Sequence, residues 1–445
     1  MLTMDAGRTI RALASPLFAT LIFSVLTACS ESGADGEAVV DDDLYQVVAD
    51  TYAYRGDSPY ADALENCAKI NSSSLSCTPQ ELPPLGMQSS SPGIDDIMQR
   101  VLVSHDWMGE RFETILGILP ADIRLLMRST TAVIIDADIR PSFYWRGTGA
   151  IYIDPAYLWV SQEEKATVSY EPDYRTGFGS ELQFAVYTQF MDDGESAYSW
   201  CSMGDDDCQR ELSDIELPLA RLLYHELAHA NDYLPFDEIA SLDPQVSLYD
   251  SLGYLEARRV NRLLHDSSPL LSATIKALAE VRYRGGDATE MQKAITPETV
   301  GSEFHNDGSL SFYSYVTRLE DVAMLFEAAM MKQHYGFDFL IGVTNVPEQE
   351  EPACDDYILG WGQRNRLATA LVSPRAKLVA GAILPDVDWN TTFANLGDNS
   401  LLPVGAGWCS GVYGSARAAG DTRPTPESEP RHWHHGQRMD RQQLQ

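Results

Sequence analysis

Two histidines four residues apart, with a glutamate directly after the first, constrain this chain more than any other feature: His225-Glu226-Leu227-Ala228-His229. In a helix, positions i and i+4 stand on one face, so both imidazoles point at one spot and Glu226 sits beside them. The flanking residues supply the helix. Leu219, Leu222, Leu223 and Leu227 form an apolar stripe that predicts a helix over about 216–234, with Pro218 in its first turn and Pro235 as its stop. Two neutral imidazoles from adjacent turns suit Zn, and a carboxylate next to the first can take a proton from a water whose pKa the metal has lowered. With 9 histidines among 445 residues, a chance match has odds on the order of one in a hundred. The competing reading is a pair of ordinary helix histidines satisfied by packing.

Two histidines leave a tetrahedral ion short of protein ligands, and a catalytic site keeps one position for water, so a third ligand must come from elsewhere. The pattern HExxHxxGxxH is excluded, because Asp232 stands at the glycine position and Pro235 at the third histidine position. Glu320 is the better candidate, on a helix predicted over 317–334 and closed by Gly336. Asp321 and Glu327 on the same helix rival it for ligand or supporting duty, and in a chain this acidic Glu320 also reads as a solvated helix carboxylate. Tyr313 and Tyr315 lie among Phe304, Phe312 and Phe326, where core packing is the alternative to a chemical role. His105, His265, His305 and His334 have no partner at ligand spacing, and His432, His434 and His435 sit in a polar tail that cannot preorganise a site. No G-x-S-x-G elbow, Walker loop or dinucleotide-binding glycine pattern occurs.

The run His-Glu-Leu-Ala-His-Ala-Asn-Asp-Tyr over 225–233, joined to Tyr313 and to Glu320-Asp321, Ala323 and Phe326-Glu327, resembles the gluzincin group of zinc metallopeptidases, and within it the catalytic domains similar to anthrax lethal factor. The resemblance covers two short motifs, about a tenth of the chain. It implies His225, His229 and Glu320 as zinc ligands, Glu226 as general base, and Tyr313 as a tyrosine that stabilises the oxyanion or protonates the leaving amine. Asp232, three residues after the second histidine, also matches, which implies a role in orienting a ligand from behind, a duty expected of Asp321 as well.

The chain ends carry different signals. Arg8 and Arg11 precede an uncharged apolar stretch over 12–28, the pattern of a secretory signal, and Leu26-Thr27-Ala28-Cys29 resembles the lipobox of bacterial lipoproteins. Cys29 is then the expected lipidation site, and the absence of Asp at Ser30 points to the outer membrane; an ordinary cleaved signal or a single membrane anchor is the alternative. The other six cysteines form an even set for an oxidising compartment, and short loops favour Cys67 with Cys77 and Cys201 with Cys208, leaving Cys354 with Cys409. A net charge of −33, from 65 acidic against 32 basic residues, argues against a nucleic-acid partner because backbone phosphates would be repelled.

The expected fold is α+β and helix-rich, with a small mixed sheet packed on the HExxH helix and a mainly helical subdomain after it. Expected segments are a lipoprotein signal peptide (1–28), an acidic tether (29–43), a helical lead-in (44–130) with Ile97, Met98, Val101 and Leu102 at helical spacing, and a zincin-like catalytic region (131–346). A disulfide-tied region (347–415) and a disordered tail (416–445) follow. Strands are predicted over 131–139 and 150–153, the latter as an edge strand able to align an extended substrate. The expected function is a zinc-dependent metallopeptidase of the cell envelope, acting on protein or peptide substrates and attached to the membrane through Cys29. Two alternatives stand beside it: a non-catalytic surface lipoprotein with a structural or vestigial zinc site, and a zinc hydrolase of cell-wall amides.

Overall fold

Short β-branched runs pair into a first sheet that packs directly on the motif helix. In the computed structural model, which describes residues 48–69, 76–169, 175–198, 208–349 and 352–414, this sheet comprises β1 (Tyr52–Ala53), β2 (Val101–Val103), β3 (Val133–Ile135), β4 (Phe143–Trp145) and β5 (Ala150–Ile153). Their order is β1-β2-β3-β5-β4, with β2, β3 and β5 parallel and the two outer strands antiparallel to their neighbours. Side chains alternate with period two. Val101, Val103, Val133, Ile135, Ile151 and Ile153 face one apolar cluster with Leu219, Leu222, Leu223 and Leu227 of the motif helix. Leu102, Ile134, Phe143, Trp145 and Tyr152 face another with Leu64 and Cys67.

Burial on both faces makes β2 to β5 apolar throughout, and that corrects two expectations. Val101 and Leu102 are strand residues, not helical ones, so the lead-in expected to be helical over 44–130 contributes β1 and β2 to the sheet. Residues 150–153 form an inner strand, paired to β3 on one side and to β4 on the other, and β4 is the edge on that side.

A second sheet was not expected. β6 (Phe184–Asp192), β7 (Glu195–Ser196), β8 (Asp338–Asn345), β9 (Leu359–Arg364) and β10 (Ser400–Leu401) run in the order β10-β9-β8-β6-β7, antiparallel throughout. Asp193 and Gly194, with φ of 47° and 90°, close the β6–β7 hairpin as the two-residue turn that matches strand twist. Between β7 and β8 the regular elements among the described residues are all helices, so the helical region is an insertion between paired strands β6 and β8. With 48% helix and 13% strand, the fold is helix-rich α+β.

The motif helix spans Leu212–Tyr233, a turn longer at its start than expected, which places Pro218 in the interior instead of the first turn. The second long helix spans Arg318–Tyr335, capped by the Thr317 side chain on the Glu320 N–H and ended by Gly336 in the left-handed region at φ 75°. Its residues from Glu320 to Met331 are all buried, the mark of a helix enclosed in the core.

Cys67 is bonded to Cys77 and Cys354 to Cys409, as the spacing suggested. Cys208 is also disulfide-bonded. Cys201, the signal with Cys29, the tether and the tail lie outside the described residues.

Two measurements test this account. The Cys354–Cys409 bond closes a separation of 55 residues and Cys67–Cys77 one of 10, so double Cys→Ser replacement should cost about 4 kcal/mol at the first and about 3 kcal/mol at the second. A larger loss in urea unfolding for the shorter loop would refute the ordering. Asp136, just after β3, is buried with Oδ2 unpartnered, and burial pushes its carboxyl up to about 6. Its folded pKa lies above the unfolded one, so the native state binds the proton more tightly and loses stability as pH rises from about 4 through 6. Asp136→Asn should flatten that part of the profile and add up to about 3 kcal/mol at pH 8; an unchanged pH slope would count against it.

Candidate metal centre

The motif helix and the helix Arg318–Tyr335 pack against each other and bring together residues 95 positions apart. His225 Nε2 lies 3.0 Å from Glu320 Oε2, and His229 Nε2 lies 3.6 Å from the same oxygen. One ligand atom from each of His225, His229 and Glu320 falls within 4.8 Å of the others. Among the described residues this is the one His/Cys/Asp/Glu group of three or more with such convergence. Tetrahedral ligands at zinc bond lengths of about 2.0–2.1 Å stand roughly 3.4 Å apart, so the two measured separations bracket that spacing. Two imidazole nitrogens and a carboxylate oxygen are also the donor set of a catalytic zinc site, so the residues present fit the ion.

Burial sharpens the electrostatics. Glu226 is fully buried beside the ligands; burial raises its pKa to about 7, against the lowering effect of His225, His229 and the Tyr144 backbone N–H. Burial would also raise Glu320, but His229 and His225 outweigh it and hold the carboxyl near 2. For His225 burial disfavours the charged form, yet hydrogen bonds with Glu320 and Glu327 prevail and push it up to about 10.

The remaining expected residues divide. Tyr313 is buried, its ring 6.5 Å from that of His225 and edge-on to Tyr283 at 5.2 Å. Tyr315 points elsewhere and donates its hydroxyl to Asp307. Asp232 accepts hydrogen bonds from the backbone and side-chain nitrogens of Asn261. Asp321 does not support a histidine: its carboxylate forms a buried two-point ion pair with Arg375. Adjacent helix residues project about 100° apart, and here that turn carries Asp321 to Arg375 while Glu320 meets the histidines.

Glu327 takes the place expected for Asp321. Its Oε2 lies 3.1 Å from His225 Nδ1, and its Oε1 accepts from Arg221 Nε at 2.5 Å. The signal was present in the spacing. Glu327 is two helical turns after Glu320 and Arg221 one turn before His225, so each shares a face with a ligand. The long interval after His229 supplies buttresses: Asn261 begins the helix Val260–Ser267 and Tyr283 belongs to the helix Ala273–Arg284.

No family model, no curated protein and no solved structure matches the chain.

Because the Asp321 carboxylate meets Arg375 and not a histidine, the two should behave as a structural couple. Arg375→Leu should destabilise by about 3–5 kcal/mol by leaving a buried carboxylate, and Asp321→Asn in the same chain should recover most of that loss. Additive losses in equilibrium unfolding would contradict the pairing.

Proposed function

We propose that this chain is a zinc-dependent metallopeptidase of the gluzincin type. The observation that carries the reading is the meeting of Glu320 with His225 and His229: a residue chosen from a short motif far along the chain stands within 3.6 Å of both imidazoles. The resemblance of the two motifs to the lethal-factor-like catalytic domains supports the same roles.

His225, His229 and Glu320 would hold zinc, which supplies a water of lowered pKa and a positive charge for the carbonyl oxygen of the scissile bond. Glu226 would take a proton from the water as its oxygen bonds to the carbonyl carbon, and would return that proton to the amine nitrogen as the C–N bond breaks. Tyr313, whose ring lies 6.5 Å from that of His225, would steady the developing oxyanion.

Substrate alignment falls to β4. It is one of the two edges of the first sheet, its Tyr144 backbone N–H lies against Glu226, and the Tyr144 ring stacks on Tyr233 of the motif helix at 5.7 Å. An extended peptide can add to such an edge through main-chain hydrogen bonds.

Export and lipidation at Cys29, at the outer membrane, belong to the proposal on the strength of the signal and lipobox-like residues. No helix of the described residues is long and apolar enough to cross a membrane.

Metal analysis of purified protein beside a Glu226→Gln variant tests the reading. Wild type should hold one zinc and cleave peptides; the variant should hold zinc with activity lowered roughly 100- to 10,000-fold. Zinc without peptidase activity in the wild type would favour a structural site or a hydrolase of cell-wall amides, and a metal-free wild type would end every zinc reading.

A further inference from the structure

The chemistry above leaves two buried charged residues without a task, and both lead to His225. An imidazole can bind a metal through Nε2 only if its remaining proton sits on Nδ1, and that proton needs an acceptor. His225 presents Nε2 to Glu320 at 3.0 Å and Nδ1 to Glu327 at 3.1 Å, so the two faces of one ring meet two carboxylates of one helix. Glu327 is itself about 1% exposed, and a lone carboxylate there would be strongly disfavoured. Arg221 answers it, with Nε 2.5 Å from Glu327 Oε1 and Nη1 3.3 Å from the Tyr198 hydroxyl. Arg221 and His225 lie one turn apart on the motif helix, Glu320 and Glu327 two turns apart on its partner, so the same pair of faces carries ligand contacts and support contacts.

We propose that Glu327 and Arg221 are positioning residues that fix His225 as an Nε2 ligand, Glu327 by accepting the Nδ1 proton and Arg221 by holding Glu327 in place. The proposal rests on the reading of this cluster as a metal centre. It assigns the support role to Glu327, not to Asp321, although both are buried acids of one helix and both are paired with an arginine.

The test is zinc affinity of the full-length protein, measured by competition with a chelator, together with the ring-nitrogen NMR signals of histidine in the zinc-loaded state. Glu327→Gln should weaken zinc roughly 10- to 100-fold, and Glu327→Ala should also remove the downfield Nδ1–H signal of His225. Arg221→Met combined with Glu327→Gln removes both charges together, which keeps a folded protein available, and should bind zinc as weakly as the single Gln variant. Asp321→Asn, which disturbs the neighbouring ion pair on the same helix, should leave affinity within about twofold of wild type. Wild-type affinity in the Glu327 variants would overturn the proposal, as would an equal loss in Asp321→Asn, because the effect would then be general to the helix. A wild-type protein that takes up no zinc would instead remove the metal reading on which the proposal stands.

Discussion

A carboxylate oxygen held between two imidazoles, deep inside the protein, is the arrangement on which the other parts converge. Glu320 in that position is tolerable only while His225 and His229 stay within reach, because a buried charge without partners is strongly disfavoured. Two helices must therefore keep a fixed distance and rotation. The first sheet presses on one side of the motif helix through Val133, Ile135 and Ile151, while Val322, Ala323 and Phe326 of its partner join the same apolar cluster. Packing at interior density leaves little room for either helix to turn.

Legibility followed the local physics. The motif helix, its end at Pro235, the Thr317 cap and the Gly336 stop follow from spacing and capping rules that act within a turn or two. Glu320 was readable because the helix around it was strong. What stayed hidden depended on partners distant in sequence. Val101–Val103 is buried on both faces and so lacks the alternation that marks a strand with a wet side. β4 is only three residues long, and β6 and β8 find each other across the whole helical region. Asp321 seemed as good a support as Glu327, and the choice between them turned on which way a helix rotates, a matter set by tertiary packing.

The stretch between His229 and Glu320 also gains a physical account. Its helices are not a detached addition. Asn261 satisfies Asp232 at the end of the motif helix, and Tyr283 packs edge-on to Tyr313. Asp307 gathers the backbone nitrogens of Leu271, Ser272 and Gly308 with the Tyr315 hydroxyl, which ties the turn before the second long helix to the start of the helix Ala273–Arg284. Residues far apart along the chain thus share the work of holding that turn beside the histidines.

The pairing of β6 with β8 has a consequence for how the molecule comes into being. Phe184 stands opposite Asn345 and Met191 opposite Asp338, so the loop these strands close contains both long helices. A polypeptide emerging from its N-terminus completes the HExxH segment well before it has made Glu320 or the strand that seals the enclosure. Closing so long a loop is slow, since its entropy is lost before the distant contacts form. The meeting of His225, His229 and Glu320 is therefore a late event in the life of each new molecule, and a chain that ends between His229 and Glu320 carries the HExxH motif without the carboxylate that meets it.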